Sequence, residues 1–248
     1  NQITVMGMIL SAAPIGEYDK RVVILTKERG KISAFARGAR KPGSPLTGAV
    51  NPFSFGTFTV YEGRTSYTLV AADISNYFAE LRADIEAAYY GFYFLDIANY
   101  YGREANDETM LLKLLYQTFR ALVKKTLPDR LIRYIFELRA LCINGEGPQV
   151  FQCISCGKTK GQLVFSVKKG GLVCPDCGKD VIDGICLNQS TLYSMQYIES
   201  SQIEKLYTFV VKENVLEELA RVMKRYTDVY VDKRFKSLEI LETLVGLE

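Results

Sequence analysis

The residues most able to do chemistry are four cysteines in two short motifs, Cys153-Ile-Ser-Cys156 and Cys174-Pro-Asp-Cys177, separated by seventeen residues. A CxxC turn brings two thiolates within reach of one tetrahedral ion, and a second such turn completes the ligand set. Gly157 and Gly178 follow the two pairs and let the backbone bend so that its amides face the sulfurs. Between the pairs, Leu163–Val167 and Gly171–Val173 flank Lys168-Lys169-Gly170 in a hairpin pattern, the layout of a zinc ribbon. Two disulfides are the competing arrangement, but a chain kept in a reducing compartment favours Zn²⁺. Four thiolates fill the tetrahedron and leave no position for water or substrate, so the ion expected here is structural, one per chain. It would supply the folding energy that so small an insert lacks. Cys142 and Cys186 read as small buried hydrophobes outside the ligand set.

The chain contains no histidine, which removes every mechanism that needs imidazole as base, shuttle or ligand. It has no tryptophan either, so aromatic contacts fall to 16 Tyr and 13 Phe. Gly43-Ser-Pro-Leu-Thr-Gly48 lacks the Lys-Ser/Thr of a phosphate-binding loop, and no GxGxxG is present. Asp73, Asp96 and Asp176 are scattered and suggest no two-metal nuclease. Carboxylates, Lys, Cys and Tyr leave enzymes disfavoured rather than excluded.

The second constellation is cationic. Residues 17–41 hold eight Lys/Arg against three acidic residues, a local charge of +5 in a chain whose formal net charge is +3. Lys20, Arg21, Lys31, Arg37, Arg40 and Lys41 are the residues expected to form a phosphate-binding face, with Lys27 and Arg29 in the same cluster. The run Arg37-Gly-Ala-Arg-Lys-Pro-Gly-Ser-Pro reads as a loop flexible enough to follow a phosphate backbone. Cationic loops beside exposed aromatics bind single strands by charge and base stacking, and Tyr18, Phe35, Tyr61 and Tyr67 are the aromatic candidates.

The elements that must position these groups follow from periodicity. Ile3–Leu10, Arg21–Lys27, Lys31–Arg37, Phe53–Tyr61 and Tyr67–Ala72 are rich in β-branched and aromatic residues, with Arg29-Gly30 as a hairpin turn. Five short strands suit a small closed barrel, and the strand count fits an SH3-like barrel equally well. After Asn76, Phe78, Leu81, Ile85, Tyr89, Phe92 and Leu95 recur at helical spacing. Asn106 reads as the N-cap of a helix through Met110, Leu111, Leu114, Leu115, Leu122 and Val123. Pro128 starts a third helix that Gly145 closes. Helical spacing resumes at Leu192, through Ile203–Tyr226, and from Phe235 to Leu247.

No apolar run reaches the roughly 18 residues of a membrane span, and the first ten residues do not resemble a signal peptide. A cytoplasmic protein with no membrane partner is the expectation. A composition of 48% hydrophobic and 24% charged residues fits a folded chain and excludes wholesale disorder.

Gly16-Glu-Tyr-Asp-Lys-Arg-Val-Val-Ile-Leu-Thr-Lys, Gly30-Lys-Ile-Ser-Ala-Phe-Ala-Arg-Gly-Ala-Arg-Lys, Asn51-Pro-Phe-Ser and Arg234-Phe-Lys-Ser-Leu-Glu-Ile-Leu together resemble the RecO family of bacterial DNA-repair proteins. The resemblance spans nearly the whole chain. It implies a multi-domain β + α fold: an N-terminal OB-fold over 1–76, then a helical bundle domain over 77–248 with an inserted four-cysteine zinc-ribbon module at about 148–185. It implies a nucleoid-associated recombination mediator that binds single- and double-stranded DNA, anneals complementary strands, and with RecR helps to load RecA on DNA coated by the single-stranded DNA-binding protein. The acidic, apolar-tipped tail of that coating protein needs a cation beside a hydrophobic groove. Arg130, Arg133 and Arg139, among Leu131, Ile132, Ile135 and Leu138, are the residues expected to offer one. The competing readings are a carboxylate-dependent nuclease and a zinc-ribbon transcription factor.

Overall fold

The computed structural model describes residues 1–246. Strands β1 (Gln2–Ile15), β2 (Asp19–Thr26), β3 (Gly30–Ala36), β4 (Phe55–Glu62) and β5 (Tyr67–Asn76) come first. Then follow α1 (Ala79–Ala83), α2 (Ile85–Tyr101), α3 (Thr109–Lys124), α4 (Asp129–Ile143), β6 (Val164–Ser166), β7 (Gly171–Val173), α5 (Gln189–Ser200), α6 (Glu213–Tyr230) and α7 (Lys236–Val245).

The first five strands close in the order β1-β2-β3-β5-β4, with β1 returning to β4. The β3–β5 pairing is parallel, Ala34 opposite Tyr67 and Phe35 opposite Thr68, and the other pairs are antiparallel. This is the OB arrangement, and it settles the choice that strand count alone left open. One strand can serve two neighbours because β1 is longer than its sequence pattern suggests. A register shift between Ile9 and Ser11 bends it, so its first half pairs with β4 and its second with β2. Along β3 the alternation is strict: Ile32, Ala34 and Ala36 face the core, while Lys31, Ser33 and Phe35 face outward. Val5, Ile9, Val22, Ile24, Phe58, Val60 and Leu69 fill the barrel interior. Gly30 adopts φ 67° in the β2–β3 turn, and a Cβ there would lie 2.2 Å from the Arg103 carbonyl oxygen, so turn and packing both require glycine.

Four expectations for this part of the chain are corrected. The stretch after β3 is not a free loop, because Ala39, Leu46 and Val50 are buried in the barrel core. The apolar stripe on α2 is also displaced. Asp84 leaves helical geometry and caps α2 by accepting the Ala87 N–H at 3.0 Å. The helix then buries Ala87, Tyr90, Phe94 and Ala98, leaving Ile85 67% and Phe92 39% exposed. At α3, the Asp107 side chain accepts the Thr109 N–H at 3.0 Å, while Asn106 donates to Glu108, so the helix starts later than the Asn106 cap would place it. Met110 lies outside the buried stripe.

Spatially the chain forms two compact units, residues 1–123 with the segment from Phe235, and Lys124–Arg234. In the first, α7 packs on α2 and the Ser237 hydroxyl donates to Asp96. The expected helical residue Leu247 lies outside the described residues. In the second, α4, α5 and α6 pack together and bury Leu131, Ile135, Leu138, Met195, Ile198, Leu219 and Met223. Pro128 occupies the N-cap of α4, and Gly145 (φ 78°) follows its end. The expected helix from Ile203 to Tyr226 is broken. A 3₁₀ turn, Ile203–Lys205, is followed by non-helical chain up to Lys212.

Candidate nucleic-acid interface and metal centre

The two CxxC turns meet at one point in the second unit. In the first, the Gly157 N–H donates to the Cys153 carbonyl at 2.9 Å, with Gly157 at φ 75°. The Ile154 N–H reaches the Leu172 carbonyl at 2.8 Å, hooking this turn to β7. In the second, the Cys177 N–H donates to the Cys174 carbonyl at 3.1 Å. Gly178 has no positive φ; it is needed for room, since a Cβ would lie 3.0 Å from the Cys174 carbonyl oxygen.

The four Sγ atoms lie within 4.8 Å of one another, and Cys156 and Cys174 Sγ are 3.7 Å apart. A tetrahedral ion with metal–sulfur bonds of about 2.3 Å places its sulfurs about 3.8 Å apart, whereas a disulfide needs about 2.05 Å. The six cysteines are all unbridged, so the disulfide alternative does not describe this cluster. Cys153 and Cys174 are buried with Val173, and Cys156 and Cys177 are exposed. Burial pushes the Cys153 thiol up, but N–H groups of Cys174, Cys156 and Ser155 outweigh it and hold the thiol at about 6. Hydrogen bonding with the Cys156 and Cys174 sulfurs pushes Cys177 up to about 12. Such neighbouring sulfurs resist ionising together unless a cation lies among them, and the four can hold a metal ion. Outside the cluster, burial raises the half-buried Cys142 thiol to about 12. Cys186 is exposed, contrary to its sequence reading, because the segment after Ile185 runs along the surface.

The barrel divides the cationic cluster. Because β2 and β3 form a hairpin centred on Glu28, residues at the two ends of β2 lie roughly 23 Å apart. Lys27, Arg29 and Lys31 sit at the hairpin end, where the Lys31 ammonium donates to the Asn99 carbonyl at 2.6 Å. Lys20, Arg21, Arg37, Arg40 and Lys41 gather at the other end, beside the β1–β2 tip. There the Arg40 N–H donates to the Tyr18 carbonyl at 2.8 Å, its guanidinium to the Gly16 carbonyl at 3.2 Å, and the Gly38 N–H to Asp19 at 2.7 Å. The Lys41 ammonium lies 5.5 Å from the centre of the exposed Tyr18 ring. The Lys20 ammonium donates to Asn51 at 3.3 Å.

From this tip a row of outward side chains crosses four strands. Arg21 pairs with Phe35, Phe35 with Thr68, and Thr68 with Tyr61. Arg21 also donates to the Ser33 hydroxyl at 2.9 Å. Phe35 and Tyr61 are 36% and 54% exposed, about two strand spacings apart. Tyr67 is a core residue, and its hydroxyl donates to Glu62 at 3.4 Å. Arg64, a lone cation between strands that gives no local sequence signal, is exposed on the β4–β5 turn.

With this geometry in view, the comparisons with known proteins agree from end to end. The family model described as Recombination protein O N terminal matches residues 1–78, and Recombination protein O C terminal matches residues 82–239. The chain belongs to the RecO family. Curated proteins named DNA repair protein RecO match it over nearly their whole length. The one from Acetivibrio thermocellus is 31% identical over 245 residues, covering 98% of each chain. That from Alkaliphilus metalliredigens is 32% identical, covering 96% of this chain and 98% of its own. The Bacillus pumilus protein is 28% identical, covering 98% and 94%. Among the described residues no helix is long and apolar enough to cross a membrane.

The arginines expected to offer the tail a docking site are engaged inside the second unit. Arg130 pairs with Glu217 and, at 3.8 Å, with Glu213. Arg133 is buried and donates to the equally buried Glu137 at 2.8 Å. Arg139 donates to the carbonyls of Ile198, at 2.9 Å, and Glu199, at the C-terminal end of α5. Leu131, Ile132, Ile135 and Leu138 are fully buried, so they offer no open groove beside these cations.

Proposed function

We propose that this protein is a DNA-binding recombination mediator in DNA repair that carries out no bond-making chemistry of its own. The observation behind this reading is the outward row Arg21–Phe35–Thr68–Tyr61, continued by Tyr18, Arg40 and Lys41 at the β1–β2 tip. Strands 2 and 3 and the β1–β2 and β4–β5 turns are the surfaces by which OB barrels hold oligonucleotides. Cations neutralise phosphates and exposed rings stack on bases, so binding is independent of sequence and strongly salt-dependent. The strands it holds include single- and double-stranded DNA, and it anneals complementary ones. Its partners, following the family, are RecR, the single-stranded DNA-binding protein through its C-terminal tail, and RecA indirectly.

The ion in this reading is Zn²⁺, which suits a donor set of four thiolates and no carboxylate. Cys153, Cys156, Cys174 and Cys177 would hold it, and it would fix the fold of a module whose own core is three small residues. The testing experiment incubates labelled single-stranded DNA with the protein, with and without Mg²⁺, across a salt series. The expected result is a mobility shift that weakens steeply with salt and leaves the DNA intact. Mg²⁺-dependent cleavage, or no binding at low salt, refutes the reading.

A further inference from the structure

We propose that the second compact unit carries its own phosphate-binding groove on α6, separate from the barrel, which holds a second nucleic-acid strand. The inference deepens the DNA-binding reading above and rests on it. The groove has a volume of about 370 Å³ and runs between α6 and the chain at Ile185. Arg221, Lys224 and Arg225 line it, all exposed and placed at helical spacings of three and four, so they converge on one face. None of the three makes an ion pair among the described residues, although arginines elsewhere in this unit are matched, Arg130 to Glu217 and Arg133 to Glu137.

The lining carboxylates, Glu218 and Asp228, offset two of the three cations and leave the lining a net charge of +1, with Glu217 also acting on Arg221 from the next turn. Glu218 is turned to the Asn188 N–H at 2.9 Å, which leaves Asp228 as the one lining carboxylate without a hydrogen bond among the described residues. Beyond Asp228 the Tyr230 hydroxyl donates to the Val167 carbonyl at 2.9 Å, fastening the end of α6 to the β6–β7 turn that presents Lys168 and Lys169.

Phosphates fit this groove better than an acidic polypeptide does. Arg221 and Arg225 are about 6 Å apart along the helix axis, so they can meet neighbouring phosphates of one strand. An acidic peptide docking by its side chains would want an apolar anchor site. The apolar residues lining this groove are Ile185 and a Val222 that is almost wholly buried, two against five charged ones. A chain with a strand site on each unit can hold two complementary strands at once, which is the requirement for annealing.

The test uses the full zinc-loaded chain and labelled oligo(dT) of about 12 nucleotides, within the span of one OB site. The wild type is expected to bind two strands per chain. Arg221→Glu/Lys224→Glu/Arg225→Glu is expected to bind one, with the affinity of the first strand changed less than about 2-fold and the annealing of complementary strands slowed at least about 10-fold. Arg221→Gln/Arg225→Gln, a milder change, is expected to show the same loss of stoichiometry should the triple variant fail to fold. One strand per wild-type chain, or two strands in both folded variants, overturns this inference and leaves the mediator reading intact. Absence of any binding by the wild type overturns both. Displacement of the second strand by poly-glutamate at lower concentration than by unlabelled oligonucleotide overturns it in favour of an acidic protein partner.

Discussion

Neutralising Arg21, Arg37 and Lys41 together, each to Gln, separates cations that meet DNA from cations that hold the barrel. These three are exposed and none forms an ion pair among the described residues. Arg40 is spared because its guanidinium fastens the tip to the Gly16 carbonyl. Each phosphate contact to a single strand contributes about 0.7 to the slope of log affinity against log salt, so losing three lowers that slope by about 2. At about 0.1 M salt each lost contact weakens binding about 5-fold, or about 100-fold for the three. The comparison variant is Lys31→Met. Its ammonium donates to the Asn99 carbonyl in the last turn of α2, a charge-assisted bond of about 1.5–3 kcal/mol before any allowance for its partial exposure. Lys31→Met should lower the melting temperature by a few degrees and change affinity less than about 3-fold. Fluorescence anisotropy with oligonucleotides of different sequence, repeated at several salt concentrations, reads slope, affinity and sequence dependence together. An unchanged slope in the folded triple variant, or a Lys31→Met loss as large as the triple one, would refute the assignment of the barrel face.

Three further outcomes are expected. Elemental analysis should find one zinc per chain, and stripping it with a strong chelator should abolish amide protection in the module around β6 and β7 while barrel amides stay protected, because metal binding supplies on the order of 10 kcal/mol to such a fold; retained protection in the stripped module refutes this. Arg133→Met should cost about 3–5 kcal/mol in urea unfolding by taking the guanidinium away from the buried Glu137 carboxylate, and Arg133→Met/Glu137→Leu should recover most of it; a single variant within about 1 kcal/mol of wild type contradicts the pairing. Iodoacetamide at pH 8 should label Cys186 in the folded, metal-loaded protein and spare Cys142, whose thiol at about 12 leaves about one molecule in 10⁴ ionised; mass spectrometry showing equal labelling refutes it.

What the sequence reveals depends on whether the signal is local. The four clustered cysteines are legible because both CxxC turns carry their geometry in four residues, and only the meeting of the turns needs the fold. The strands are legible because their alternation has a period of two on a barrel with one dry face. The cationic cluster is less so. Eight charges adjacent in sequence become two groups at opposite ends of β2, since a hairpin brings Arg21 beside Phe35 and carries Lys27 away from both. The stripe on α2 is misplaced because Ile85, Tyr89, Phe92 and Tyr93 make the helix apolar on several faces, so periodicity does not choose one. Arg133 and Glu137 look like a solvated i,i+4 pair until the buried Ile132, Tyr134 and Phe136 around them are counted.

The barrel and the metal module solve opposite problems of size, and the proposed activity draws on both solutions. The barrel closes its sheet, leaves no edge strand, and buries enough side chains to hold the 37–41 segment against its own tip by backbone hydrogen bonds. A tip held in this way loses little entropy when it meets a strand, so its charges act as a fixed surface. The module has almost no core and would borrow its order from one ion, at no cost in added length. Each phosphate contact at about 0.1 M salt amounts to about 1 kcal/mol. A strand held by several such contacts can therefore be peeled away one contact at a time when a partner competes for it, whereas one deep pocket of equal total affinity would have to be vacated in a single slow step.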